Sequence, residues 1–157
     1  MTFLNPNSEV ILSQPEDFQS LAILYQAIAD SVSNKAFFNW SEKTALEEMR
    51  LAKTLILKDP VQQSIKAFVT YRDYDDRFEI SAIGSNPKHL KKGYAQNVLQ
   101  ALQANAAQRR LAIWLEVHEN NQTAVNLYLK NGFTVLNSRK RYYPDGGHAL
   151  VMQFAGD

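Results

Sequence analysis

Apolar residues recur along this chain with two different spacings, and each change of spacing marks a change of element. Residues 9–13 (EVILS) read as a first strand. Ser13 and Glu16, three residues apart around Pro15, form a capping-box start for a helix over about 15–30. Within it Phe18, Leu21, Tyr25 and Ile28 fall on one helical face, which predicts a single buried stripe. Ser41 and Glu42 suit the N-terminus of a second helix, running to about Lys53. From Thr54 the period shortens, and 54–57, 65–71 and 78–83 predict an antiparallel meander with turns at Asp59-Pro60 and over 73–76.

Gly93 opens a long helix to about Arg109, with Ala95, Leu99, Leu102 and Ala106 on its buried side. The run 111–117 (LAIWLEV) is apolar except for one carboxylate, the pattern of a strand covered on both faces. A helix over about 122–130 stops at Asn131-Gly132. Strands over 133–143 and 149–154 follow, joined by the turn Pro144-Asp145-Gly146-Gly147. The order β-α-α-β-β-β-α-β-α-β-β predicts an α/β (α+β) domain spanning 1–157, with about seven strands and about four helices. Its central strand–helix–strand unit requires a right-handed crossover between parallel strands, so the sheet is expected to be mixed.

Composition narrows the chemistry. The chain has 157 residues, 17 of them Lys or Arg against 16 Asp or Glu, and 45% are hydrophobic, which fits one folded core and gives no electrostatic reason to expect DNA binding. The absence of cysteine excludes disulfides, Cys-ligated zinc and an acyl-cysteine intermediate. His89, His118 and His148 lack metal-ligand spacing, so no metal is expected. The opening residues carry no basic stretch followed by an apolar run, and no segment approaches the roughly 18 apolar residues of a membrane span. A soluble, cytoplasmic protein without membrane contact is the expectation.

Four clusters carry candidate chemistry. In Pro87-Lys88-His89-Leu90-Lys91-Lys92-Gly93-Tyr94-Ala95, a strand gives way to a helix start whose free N–H groups and positive dipole end suit a phosphate or pyrophosphate. A solvated basic turn is the plainer reading, and the segment is neither a P-loop nor a GxGxxG fingerprint. Glu116 shares one side of its strand with Trp114 and His118, where partial desolvation would raise its pKa towards that of a general base; a strand-end glutamate paired with a lysine, or simply exposed, is the alternative. Asn121 and Tyr128 lie about two helical turns apart on one stripe, where the phenol can donate a proton or merely pack. Finally, basic and aromatic residues alternate in Arg139-Lys140-Arg141-Tyr142-Tyr143-Pro144, with Phe37-Phe38-Asn39-Trp40 earlier; an edge strand explains them better than RNA contact.

Together these clusters resemble, over nearly the whole chain, the GNAT superfamily of acyl-CoA-dependent N-acyltransferases, and within it the ribosomal-protein-alanine N-acetyltransferase (RimI) type. The carriers are Leu90-Lys91-Lys92-Gly93-Tyr94-Ala95 in the position of Q/R-x-x-G-x-G/A, Trp40-Ser41-Glu42-Lys43, and Trp114-Leu115-Glu116-Val117. To these are added Asn121-x-x-Ala124-x-x-Leu127-Tyr128-x-x-x-Gly132-Phe133 and Arg139-x-x-Tyr142-Tyr143-Pro144, followed by Ala149-Leu150-Val151-Met152. The resemblance implies acetyl transfer from acetyl-CoA to a primary amine by direct attack, without a metal. It implies pantetheine against Ile83, Gly84 and Ser85, pyrophosphate on Lys91, Lys92, Gly93, Tyr94, Ala95 and Gln96, and a pantetheine contact from Asn121. It further implies Glu116 as general base and Tyr128 as general acid, with a backbone N–H of the 83–85 strand holding the developing oxyanion. Leu90 stands where the pattern carries Gln or Arg, Asn39 where proline commonly precedes the tryptophan, and Ser85 where an apolar residue is usual. The implied acceptor is a protein N-terminal α-amine, a ribosomal-protein alanine being the first candidate. A lysine side chain, a small amine, or a non-catalytic acyl-CoA-binding role are the alternatives.

Overall fold

A computed structural model describes residues 10–90 and 92–156. The strands are β1 (Val10–Leu12), β2 (Lys53–Lys58), β3 (Ile65–Asp73), β4 (Arg77–Ser85), β5 (Ala112–His118), β6 (Thr134–Arg139) and β7 (Ala149–Phe154). The helices are α1 (Phe18–Ser31), α2 (Glu42–Met49), α3 (Tyr94–Arg109) and α4 (Gln122–Lys130). All seven strands form one sheet in the order β1-β2-β3-β4-β5-β7-β6. Only β4 and β5 run parallel, joined through α3, so the expected mixed sheet and central crossover are present.

Local chemistry sets the boundaries, with several departures from the sequence reading. The box before α1 forms one residue later than expected: the Gln14 N–H donates to Asp17 Oδ2 at 2.8 Å, and a 3-10 turn over Pro15–Asp17 precedes the helix. Ser41 caps α2 as expected, accepting from the Thr44 N–H, but the helix ends at Met49 and Lys53 already belongs to β2. Residues 133–143 do not form one strand, since β6 ends at Arg139 and the chain then turns through the Gly146 N–H bond to the Tyr143 carbonyl. Glu9, expected in the first strand, lies outside the described residues.

Helices cover the sheet on both faces. Under α3 and α4, Val98, Leu99, Leu102, Val125 and Tyr128 pack with Leu55, Val69, Phe78, Ile113, Leu115 and Met152. On the other face α1 and α2 bring Leu21, Tyr25, Ile28 and Met49 onto Ile56, Phe68 and Ala82. Among the described residues no helix is long and apolar enough to cross a membrane.

The sheet opens in its middle. β4 and β5 pair only at Arg77↔Ala112, Phe78↔Ile113 and Glu79↔Trp114, whereas β3 follows β4 to Ser85 and β7 follows β5 to His118. A bulge explains the divergence: pairing with β3 passes from Ile80 to Ala82, leaving Ser81 as an extra residue that bends the strand. The Ser81 hydroxyl donates to Glu48 Oε2 at 2.7 Å, and Glu48 is held by a bidentate pair with Arg72 at 2.8 Å. The bend is therefore anchored to α2.

Candidate active site

Between the diverging strands runs a cleft of about 1490 Å³ that passes from one face of the sheet to the other. On the α3/α4 face its walls include Gly93, Tyr94, Ala95, Gln96, Asn121 and Tyr128. On the α1/α2 face they include residues 37–40, Glu79, Trp114, Glu116, Arg139 and Tyr142. Beyond Glu79 the edge of β4 facing the cleft has no neighbouring strand among the described residues, so its backbone hydrogen-bonding groups are open to an extended ligand.

The first wall is made mostly of backbone. Gly93 caps α3 with φ +76°, and the Asn97 N–H takes its carbonyl, leaving the N–H groups of Tyr94, Ala95 and Gln96 without a partner among the described residues. With the positive dipole end of the sixteen-residue α3, they form an anion site at the cleft mouth. Ala95, expected on the buried side of the helix, lines the cleft instead. Ile83, Gly84 and Ser85 line the β4 wall. A side chain at Gly84 would meet Ile28 Cδ1 at 2.6 Å and the Phe68 ring at 3.3 Å, so packing beneath α1 already requires glycine there. Its smallness is thus no sign of a close ligand.

Lys92 is exposed beside the turn, while Lys91 lies outside the described residues. Lys66, which sequence reading missed because it sits on β3, holds its ammonium 5.0 Å from the Tyr94 ring centre and brings a cation to the same region. Asn121 lines the cleft while its Oδ1 accepts from the Ala124 N–H at 3.4 Å, capping α4. Gln96 Oε1 accepts from Asn131 Nδ2 at 3.2 Å, tying the start of α3 to the end of α4.

The second wall is made of side chains. On β5, Ile113, Leu115 and Val117 enter the core as the alternation predicts, but on the opposite face Trp114 and Glu116 are left to the cleft and only His118, at the strand end, is buried. Glu116 is 35% exposed and accepts from Arg139 Nη1 at 2.8 Å. The strand is therefore not covered on both faces as its apolar run suggested, because the splay opens this side to the cleft and β6 supplies Glu116 with a counter-ion. The Arg139 guanidinium also stacks 4.3 Å from the Tyr142 ring centre.

Tyr128 is only 4% exposed. Burial pushes its phenol well above the usual tyrosine range, so it keeps its proton. Its hydroxyl makes no hydrogen bond among the described residues, yet no buried polar side-chain atom there lacks a partner; the oxygen consequently faces the cleft. Tyr143, likewise pushed up to about 12 by burial and then by the Glu116 carboxylate, adds to the upward push on Tyr128.

A further cluster supports this second wall. His118, 2% exposed, stacks on Tyr143 at 4.8 Å and meets the Phe37 ring edge-on at 5.0 Å. Its Nδ1 accepts from the Asn120 N–H at 3.0 Å, so Nε2 carries the hydrogen and donates to Asp145 Oδ2 at 2.8 Å. Hydrogen bonds from the Asn34 amide and the Gly147 N–H hold the Asp145 carboxyl down to about 2. Gly147 is required here, since a Cβ would lie 2.2 Å from His118 Nε2. The alternation of β5 set His118 on the side of Glu116, but no local pattern could pair it with Asp145, 27 residues later.

Residues 21–133 match the model of the acetyltransferase (GNAT) family. The chain is 35% identical over 118 residues to the [Ribosomal protein bS18]-alanine N-acetyltransferase of Haemophilus ducreyi, covering 72% of this chain and 81% of that protein. It is 30% identical over 119 residues to the enzyme of the same description from Salmonella typhimurium, covering 73% and 80% respectively. Among solved structures, the ribosomal-protein-S18-alanine N-acetyltransferase from Escherichia coli superposes with a TM-score of 0.76 at 24% identity, over 92% of both chains. YncA from Salmonella typhimurium, solved with its cofactor acetyl-CoA, gives a TM-score of 0.76 at 15% identity over 96% and 95%. These two likenesses bear on the fold.

Proposed function

We infer, from the premise that this chain belongs to the GNAT acetyltransferase family and is an acetyl-CoA-dependent N-acetyltransferase, that its acceptor is the N-terminal α-amine of a protein, with a ribosomal-protein alanine as first candidate. The observation that carries the acceptor is the similarity, at 30% identity or better over four fifths of their length, to two [Ribosomal protein bS18]-alanine N-acetyltransferases. The through-going cleft supports a two-substrate reaction, since cosubstrate and amine can enter from opposite faces and meet between β4 and β5.

The free N–H groups of Tyr94, Ala95 and Gln96, with Lys92 in the preceding turn and Lys91 next to it in sequence, fit a pyrophosphate. Ile83, Gly84 and Ser85 on the open β4 edge, with Asn121 opposite, fit the amides of a pantetheine arm. Acetyl-CoA supplies the activated acyl carbonyl. An α-amine with a pKa of about 8 arrives mostly as ammonium at neutral pH and must lose a proton before attack. Glu116 accepts that proton, directly or through a water, and the arriving ammonium competes with Arg139 for the carboxylate. As the new C–N bond forms and the C–S bond breaks, Tyr128, kept protonated by burial, gives its proton to the departing sulfur and regains one from the acylated nitrogen.

The test incubates the enzyme with labelled acetyl-CoA and either a hexapeptide beginning Ala-Arg or an N-blocked peptide with an internal lysine. Label on the α-nitrogen of the first peptide is expected. Label confined to the lysine would overturn the acceptor.

A further inference from the structure

The acceptor wall comes from chain segments that lie far apart: the end of β5, the 3-10 turn Lys35–Phe37 after α1, and the hairpin over 140–148. Among the described residues, the Asn34–Asp145 bond at 3.0 Å is the one hydrogen bond that joins the α1–α2 loop to that hairpin. The same carboxylate receives His118 Nε2–H from β5 at 2.8 Å. The His118 ring in turn underlies Phe37 from the loop and Tyr143 from the hairpin, both of which line the cleft. Neither Asn34 nor Asp145 lines it.

We propose that His118, Asp145 and Asn34 form a clamp of positioning residues that sets the width of the acceptor groove, and so decides how well a peptide acceptor is held. The inference rests on the α-amine reading above and names the part of the fold that regulates its specificity. His118 is buried while Asp145 lies at the exposed rim, so one surface carboxylate ties both loops to the buried imidazole, and a displacement of about 1 Å in a binding wall can cost up to about 100-fold in rate. A small amine touches little of either loop. An extended peptide touches both, so only the peptide senses the clamp.

Two variants test this. Asn34→Asp keeps the Oδ1 atom that accepts from the Ala36 N–H at 2.9 Å, but turns a carboxylate oxygen towards Asp145 and forces the two loops apart. Asp145→Asn leaves a donor facing a donor whichever way its amide turns, because Asn34, His118 and Gly147 all donate to it. The expected result is an increase of about tenfold in KM for the Ala-Arg hexapeptide in both variants, with kcat within about twofold of wild type. For Asn34→Asp the kinetics with alanine amide and the affinity for CoA should stay at wild-type values. Unchanged peptide KM in both variants would overturn the clamp, as would a parallel loss with peptide and amide, which marks general destabilisation. A wild-type enzyme that acetylates alanine amide but ignores the peptide would instead overturn the acceptor reading itself.

Discussion

The two walls of the cleft are built by different means. The α3/α4 wall offers helix-terminal N–H groups and an unpaired strand edge, both produced by backbone geometry at Gly93 and at the Ser81 bulge. The α1/α2 wall offers Trp40, Trp114, Glu116, Arg139 and Tyr142, drawn from four separate elements or loops and held together by long-range contacts. A backbone site tolerates change in most of its side chains, which is how Leu90 can replace a polar residue in the turn. A side-chain site is changed by any one of its members, so acceptor choice can diverge while the cosubstrate site stays the same.

That contrast is broken most directly by Glu116→Gln. The substitution keeps size and hydrogen bonding but removes the proposed base, and kcat for the peptide should fall by about 10²–10⁴. Calorimetry should find CoA affinity unchanged, because the carboxylate lies on the other wall. A wild-type rate would remove Glu116 from the mechanism. Tyr128→Phe should lower kcat by about 10²-fold. The hydroxyl bonds to no described residue, so the thermal midpoint of this variant should match wild type; a clear loss of stability would mean the oxygen serves packing rather than chemistry.

Gly93→Ala probes the opposite wall. A Cβ there meets nothing within 4 Å, so the only cost is holding alanine at φ +76°, about 1–2 kcal/mol. Relaxation of that strain turns the first N–H groups of α3 away from the cleft, and CoA should bind about tenfold more weakly while the peptide KM stays level. An equal rise in both constants would show that the two walls are not independent.

The same contrast explains what the sequence made legible. Element order, the mixed sheet and the Gly93 turn each follow from local patterns: spacing, caps, and one residue whose backbone must enter the left-handed region. The cosubstrate wall is local in the same way, and most of it lies in one stretch around Gly93. Glu116 and Tyr128 could be named from the resemblance, but their surroundings could not. The pairing of Glu116 with Arg139 spans 23 residues, and that of Arg72 with Glu48 spans 24; both depend on which strands become neighbours. The exposure of Glu116 follows from the splay, which begins at a bulge that no period in β4 announces. For that reason 111–117 read as a strand buried on both faces, when one of its faces is a wall of the site.

A control far from both walls sharpens the comparison further. Asp73, at the end of β3, accepts from Arg109 at 2.7 Å and from Lys53 at 3.1 Å. The Arg109 guanidinium beside it holds its carboxyl down to about 2. Arg109 closes the sixteen-residue α3 at the end opposite Gly93, roughly 24 Å along the helix. A carboxyl depressed in the folded state stabilises the protein above its unfolded pKa of about 3.9 and loses that contribution as pH falls towards 2. The shift corresponds to at most about 2.6 kcal/mol, and less once solvent screening is allowed for at Arg109, which is 42% exposed. Urea titrations at pH 7 and at pH 3 should therefore differ less for Asp73→Asn than for wild type, while peptide KM, kcat and CoA affinity at neutral pH remain unchanged. If Asp73→Asn weakened CoA binding, strain would have to travel the length of α3 to its N-terminus, and the first wall would depend on the whole helix rather than on the turn that opens it.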